Sequence, residues 1–94
     1  MLKKVVKRDG KVVPFDIEKI TNAIKKAGAA TEEFKEERAK RLAEKVVSEF
    51  EKLDQKKTPS VEQIQDIVEK VLMESSYKKT AKAYISYRNE RTMR

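Results

Sequence analysis

The 94-residue sequence contains no cysteine, no histidine and no tryptophan, and only two glycines and two prolines. The missing cysteines rule out disulfides and thiol nucleophiles. With histidine missing as well, the usual structural zinc sites and any imidazole base are excluded. Gly10 and Gly28 stand far apart, so there is no glycine-rich loop of the P-loop type to cradle a phosphate. No apolar run approaches the length of a membrane span, and the first four residues lead into a structured pattern without the apolar segment of a signal peptide. The expected location is the cytoplasm, with no membrane partner.

What is present is charge over a thin apolar pattern. Charged residues make up 41% of the sequence and hydrophobic ones 38%. The apolar residues recur at fixed spacings, which argues against disorder. The length suits one small core, so residues 1–94 are expected to form a single domain with no room for a separate catalytic one. The net charge of +7 is uneven, with 8 basic and 3 acidic residues over 1–26, 8 and 8 over 27–57, and 7 and 5 over 58–94. Such a surface points to an anionic partner: a nucleotide, a nucleic acid, a lipid headgroup or an acidic protein.

Val5-Val6-Lys7-Arg8-Asp9-Gly10-Lys11-Val12-Val13 places β-branched residues on both sides of Asp-Gly, predicting a hairpin with a two-residue type I′ turn. In that register Arg8 pairs with Lys11. Val6, Arg8, Lys11 and Val13 would then share one face and Val5, Lys7 and Val12 the other. Pro14 ends the second strand, and Asp16 is a good N-cap for a helix whose stripe is Ile17, Ile20, Ile24 and Ala27, with Gly28 as its stop. Thr31 with Glu32 and Glu33 predicts the start of a second helix, whose apolar line runs Ala39, Leu42, Ala43, Val46, Val47, Phe50 and Leu53. A polar connection follows, and Ser60-Val61-Glu62-Gln63 fits a capping box for a third helix with Val61, Ile64, Ile67, Val68, Val71 and Leu72 inward. Tyr77, Ala81, Tyr84, Ile85 and Arg88 line one side of a fourth. The helices are expected over about 16–28, 31–54, 60–74 and 77–91. Residues 58–60 are candidates for a short strand beside the hairpin, with Pro59 counting against it.

Acid–base work would fall to carboxylates, and these sit mostly on helix faces expected to be exposed, so enzymatic turnover is not expected. Binding is better supported, because Lys7 and Arg8 stand in a hairpin rather than on a tail. A preformed pair of cations suits a polyphosphate: arginine forks two oxygens while lysine adds a compact charge. The ordered set Val5-x-Lys7-Arg8-Asp9-Gly10, Pro14-Phe15-Asp16 with Lys19-Ile20, Thr58-Pro59-Ser60 with Ile64-Gln65-Asp66-Ile67-Val68, and Ala81-Lys82-Ala83-Tyr84-x-x-Tyr87-Arg88-x-x-Arg91 resembles the ATP-cone domain over about residues 3–92. A KRDG turn alone is more often an ordinary solvated hairpin; the order of the whole set carries the resemblance.

ATP-cones are the nucleotide-sensing domains usually found at the N-terminus of ribonucleotide reductases, and they also occur in the reductase-operon repressor. The resemblance implies an α+β, mostly α fold, a four-helix bundle capped by a small β-sheet that begins with the N-terminal hairpin. It puts Lys7 and Arg8 at a triphosphate, Lys19 at the phosphates or ribose, and Arg88 and Arg91 at the phosphate tail. Val5, Phe15, Ile20 and Ile24 would wall the adenine, although Ile20 and Ile24 serve equally as core. Thr58 and Ser60 fall where the family makes polar contacts to base or sugar, although Ser60 serves equally as an N-cap. Gln65 stands where some members carry histidine, so discrimination between effectors could differ here. Many members have an acidic residue three positions after the hairpin glycine, where this sequence has Val13. Tyr77, Tyr84 and Tyr87 could stack on a base, but aromatics at helical spacing are more often core.

The function so implied is non-catalytic and allosteric: binding of ATP and dATP that regulates the activity and oligomeric state of a ribonucleotide reductase. The expected partners are ATP, dATP, the catalytic domain or subunit, and a second copy in a nucleotide-dependent homo-oligomer. No permanent cofactor is expected, and Mg²⁺ would ride on the nucleotide phosphates. The chain is expected to be the N-terminal domain of a larger protein, with a free-standing cone as the lesser alternative. The alternative is a small basic helical nucleic-acid-binding module, supported by the charge but lacking a recognition-helix or RNP-type pattern. A protein-interaction bundle is a third reading.

Overall fold

The computed structural model describes residues 3–52 and 58–92, with the side chains of residues 91 and 92 left aside. In chain order the elements are β1 (Lys4–Val6), β2 (Val12–Pro14), α1 (Ile17–Ala30), α2 (Glu36–Glu51), α3 (Val61–Glu74) and α4 (Lys78–Thr92). Each helix packs on its sequence neighbour and α4 returns to α1, closing a four-helix bundle with the two-stranded antiparallel sheet at one end. This is the mostly α, α+β class that the sequence led us to expect. The core joins Val5 to Ile20, Ile24 and Ala27 of α1, to the Ala39-to-Phe50 stripe of α2, to Ile64, Val68, Val71 and Leu72 of α3, and to Ala81 and Tyr84 of α4. Leu53 and the polar connection over 54–57 lie outside the described residues.

The hairpin forms at Asp9-Gly10 but in a different register from the one predicted. Val6 faces Val12 and Val5 faces Val13. Lys7 N donates to Lys11 O at 2.8 Å, so the loop has three residues rather than two. A type I′ turn needs positive φ at both central residues; Gly10 has it (φ 87°) and Asp9 does not. Instead Gly10 N donates to Lys7 O at 2.9 Å, and the Asp9 carboxylate accepts from Lys11 N at 3.0 Å. The result is a tight turn followed by a left-handed glycine. The one-residue shift puts Val5 and Val13 together on the core side and leaves Val12 exposed. The third strand is reduced to a parallel bridge between Val6 and Ser60, with Val6 N donating to Pro59 O at 2.8 Å. Proline supplies a carbonyl there, where its missing N–H does not matter.

The α1–α2 junction also departs from expectation. Gly28 does not stop α1. It is buried within the helix under the Phe34 ring, where a Cβ would lie 2.6 Å from Phe34 Cζ. Thr31 caps the C-terminus of α1 instead of opening α2, its hydroxyl donating to Ala27 O at 3.0 Å. Glu32 takes the left-handed conformation (φ 59°), and the amides of Glu32 and Glu33 return to Ala29 O and Gly28 O. A helix that closes this way cannot hand its last residue directly to the next one, so α2 begins at Glu36, with Glu36 and Glu37 in its first turn. Glu33 does other work: its carboxylate accepts from Thr80 N (2.6 Å) and Thr80 Oγ1 (2.7 Å), capping α4 from another segment of the chain. Thr80 is fully buried, and its hydroxyl lies 2.9 Å from that of Thr31.

Candidate functional site

The starts of α1 and α3 and the far end of α4 meet beside the hairpin. There the structure has a cavity of about 610 Å³, within the usual range for small-molecule sites. The hairpin contributes Val5, Lys7, Arg8, Asp9 and Val13, and the entry to α1 contributes Pro14, Phe15 and Asp16. Lys19, Ile20 and Ala23 come from α1, Val61, Ile64, Gln65 and Val68 from α3, and Tyr84, Tyr87 and Arg88 from α4. The lining therefore combines aliphatic and aromatic side chains with four cations, Lys7, Arg8, Lys19 and Arg88. Two helix N-termini contribute as well, each with its partial positive charge. Both are capped as the sequence predicts: Asp16 Oδ1 accepts from Glu18 N at 3.0 Å, and Ser60 Oγ accepts from Gln63 N at 3.1 Å while Gln63 Oε1 accepts from Ser60 N at 2.9 Å.

Gln65 has an acceptor to spare. Its Oε1 is buried and has no hydrogen-bond partner among the described residues. A buried amide carbonyl left unpaired is costly, and because Gln65 also lines the cavity, a turn of its side chain would offer that acceptor to a ligand N–H or O–H.

The two arginines differ. Arg88 Nη1 donates to Glu69 Oε1 at 2.9 Å and lies 2.8 Å from Asp66 Oδ1, and the side chain is only 17% exposed. Burial pulls its pKa down, but the hydrogen bonds it donates to the two carboxylates outweigh this and hold it above the ordinary value. Arg8 is more open, with its Nε 3.7 Å from Glu62 Oε1. Burial pushes the Tyr84 phenol up to about 12, with nearby Arg88 opposing the shift.

Of the residues singled out from the sequence, Val5, Lys7, Arg8, Phe15, Lys19, Ile20, Gln65 and Arg88 line this one cavity. Ile24 does not: it is fully buried one turn deeper on α1 and belongs to the core behind Ile20. Thr58 is exposed and away from the lining, Ser60 caps α3, and the Arg91 side chain lies outside the described residues. Lys7 and Arg8 were expected on opposite faces, but both reach the cavity because Arg8 belongs to the turn rather than to a strand. Tyr77 leaves the tyrosine cluster to pack edge-on against Phe34 (4.8 Å between centroids), while Tyr84 and Tyr87 line the cavity. Sequence reasoning assigned Ile64 and Val68 to the core alone; they are four apart on α3 and border both core and cavity. Among the described residues no group of three or more acidic side chains is arranged to hold a metal ion, and no helix is long and apolar enough to cross a membrane.

A basic, partly apolar cavity under a hairpin at the end of a four-helix bundle defines a class of small-ligand-binding domain. The ATP cone domain family model matches residues 3–93, and the chain belongs to that family. Membership implies a nucleotide-binding, allosteric regulatory role. The chain is 49% identical over 97% of its length to 12% of a vitamin B12-dependent ribonucleoside-diphosphate reductase from Thermoplasma acidophilum. It is 40% identical over 95% of its length to 12% of an anaerobic ribonucleoside-triphosphate reductase from Haemophilus influenzae. It is also 40% identical over 93% of its length to 9% of a ribonucleoside-diphosphate reductase subunit alpha from Chlamydia muridarum. The chain thus spans about an eighth or less of these relatives.

Proposed function

We propose that the chain is a non-catalytic sensing domain that binds ATP and dATP in the cavity beneath the hairpin and regulates the activity and oligomeric state of a cytoplasmic ribonucleotide reductase. The observation that carries this reading is that one cavity is lined by exposed charged side chains, three basic (Lys7, Arg8, Lys19) against two acidic (Asp9, Asp16), and by a more buried apolar wall (Val5, Ile20, Ala23, Ile64, Val68, Tyr84) with the unpaired Gln65 carbonyl. That division suits a polyphosphate joined to a planar base. Lys7 and Arg8 hold the triphosphate, Lys19 the phosphates or ribose, and Phe15 covers the base. Gln65 Oε1 accepts a hydrogen bond from the base amine or a ribose hydroxyl. Arg88 backs the phosphate site. Mg²⁺ arrives on the phosphates, and no permanent cofactor is held.

Regulation requires ATP and dATP to differ in affinity between two assembly states, because equal affinity shifts nothing. The ribose 2′-hydroxyl is the only chemical difference they offer. A nucleic-acid partner fits less well, since the cations named above converge on a concavity instead of tracking along a surface. Thermal melting with ATP, dATP, GTP and a short duplex DNA tests the reading, because a ligand that binds only the native state must stabilise it. A rise with adenine nucleotides alone is expected. A rise with DNA, or none with ATP, overturns the reading.

A further inference from the structure

Glu62, Asp66 and Glu69 follow one another along one face of α3, and this acidic line meets both arginines of the cavity. It treats them differently. Asp66 and Glu69 hold the largely buried Arg88 at 2.8 and 2.9 Å, tying α4 to α3. Glu62 reaches Arg8 at only 3.7 Å, and both side chains are open to solvent, at 61% and 41% exposed. An exposed pair of that length contributes little to folding. It nevertheless places a carboxylate beside Arg8, a cation of the cavity lining, from a position just outside that lining.

We propose that Glu62 is an internal competitor for the phosphate subsite: in the empty domain it occupies Arg8, and a polyphosphate must displace it to bind. The inference rests on the nucleotide reading above. The displacement lowers the affinity for polyphosphate by the lost pair and by repulsion between like charges, and leaves contacts to the base untouched. Glu62 therefore sets how strongly the site favours highly charged ligands, and it keeps Arg8 positioned while no ligand is present. Asp66 and Glu69 act on Arg88 as a strap and do not compete in this way.

Glu62 also lies in the first turn of α3, where a carboxylate favours the helix dipole, so Glu62→Gln should slightly lower the melting temperature without ligand. Its effect on binding has the opposite sign, which a merely structural role would not produce. Isothermal titration of the 94-residue chain with ATP, ADP and adenosine is the test. Glu62→Gln should tighten ATP by about two- to fivefold, ADP by less and adenosine not at all, with the gain shrinking in high salt. The charge-matched control Glu44→Gln, on α2 and away from the cavity lining, should change nothing. In an Arg8→Ala background the Glu62→Gln gain should largely vanish, since the two are coupled. Unchanged or weaker ATP binding by Glu62→Gln, or an equal gain for adenosine, overturns this inference alone. Failure of the parent chain to bind ATP overturns the site reading and this inference with it.

Discussion

Replacing Arg88 with alanine removes the tie between the last helix and the third. The Arg88 side chain is 17% exposed and its guanidinium makes two short contacts, one to Glu69, which is 25% exposed, and one to Asp66, which is 67% exposed. A hydrogen bond between charged groups contributes about 1.5–3 kcal/mol, and an exposed ion pair roughly 0.2–1 kcal/mol. The Glu69 contact belongs near the first range and the Asp66 contact near the second, so Arg88→Ala should cost about 2–3 kcal/mol. In a chain of this size each kcal/mol moves the melting temperature by about 4–8 °C, so a fall of roughly 10–20 °C is expected. Arg8→Ala, whose pair with Glu62 is long and exposed, should move the melting temperature by no more than about a degree or two. Circular dichroism melts and urea titrations without nucleotide measure both. If Arg88→Ala is no less stable than Arg8→Ala, the distinction between a strap and a surface cation is wrong.

Three further outcomes follow from the packing. Gly28→Ala places a methyl under the Phe34 ring; overpacking of about 1–3 kcal/mol should outweigh the helix-propensity gain of about 1 kcal/mol, and a lower urea midpoint, partly restored by Phe34→Leu, is the check. Glu33→Ala leaves the buried Thr80 hydroxyl and an amide of α4 without their acceptor, and should cost about 1–3 kcal/mol in the same titration. The Tyr84 phenol is raised to about 12 in the folded chain against an ordinary value of 10.0, so its contribution is fully present below pH 10 and is lost as pH rises towards 12. Stability measured over that window should fall less steeply in Tyr84→Phe.

The helices were legible in the sequence because their apolar stripes repeat at helical spacing and their caps are local: Asp16 and the Ser60–Gln63 box act within one turn. The hairpin was legible in place but not in register. Asp-Gly supports either a two- or a three-residue loop, and the choice turned on whether Asp9 takes a positive φ. The α1–α2 junction was misread for a tertiary reason. Gly28 resembles a stop until Phe34 is seen to need the space above it, and Glu33 resembles a first-turn acid until Thr80 arrives from 47 residues away. In the candidate site, the cations and Gln65 were legible as motif positions. The inner residues Ile64 and Val68 were not, because a side chain that borders both core and cavity carries the same pattern as one that borders core alone.

The central claim is that the hairpin cations hold a nucleotide triphosphate, and it is tested most directly by isothermal titration of ATP into the parent chain, Lys7→Ala and Arg8→Ala. Both side chains line the cavity and are exposed, so neither substitution should move the melting temperature without nucleotide by more than about a degree or two. Each should weaken ATP binding by about 1.5–3 kcal/mol, the range for a hydrogen bond to a charged group. Affinity unchanged in both variants would contradict the account.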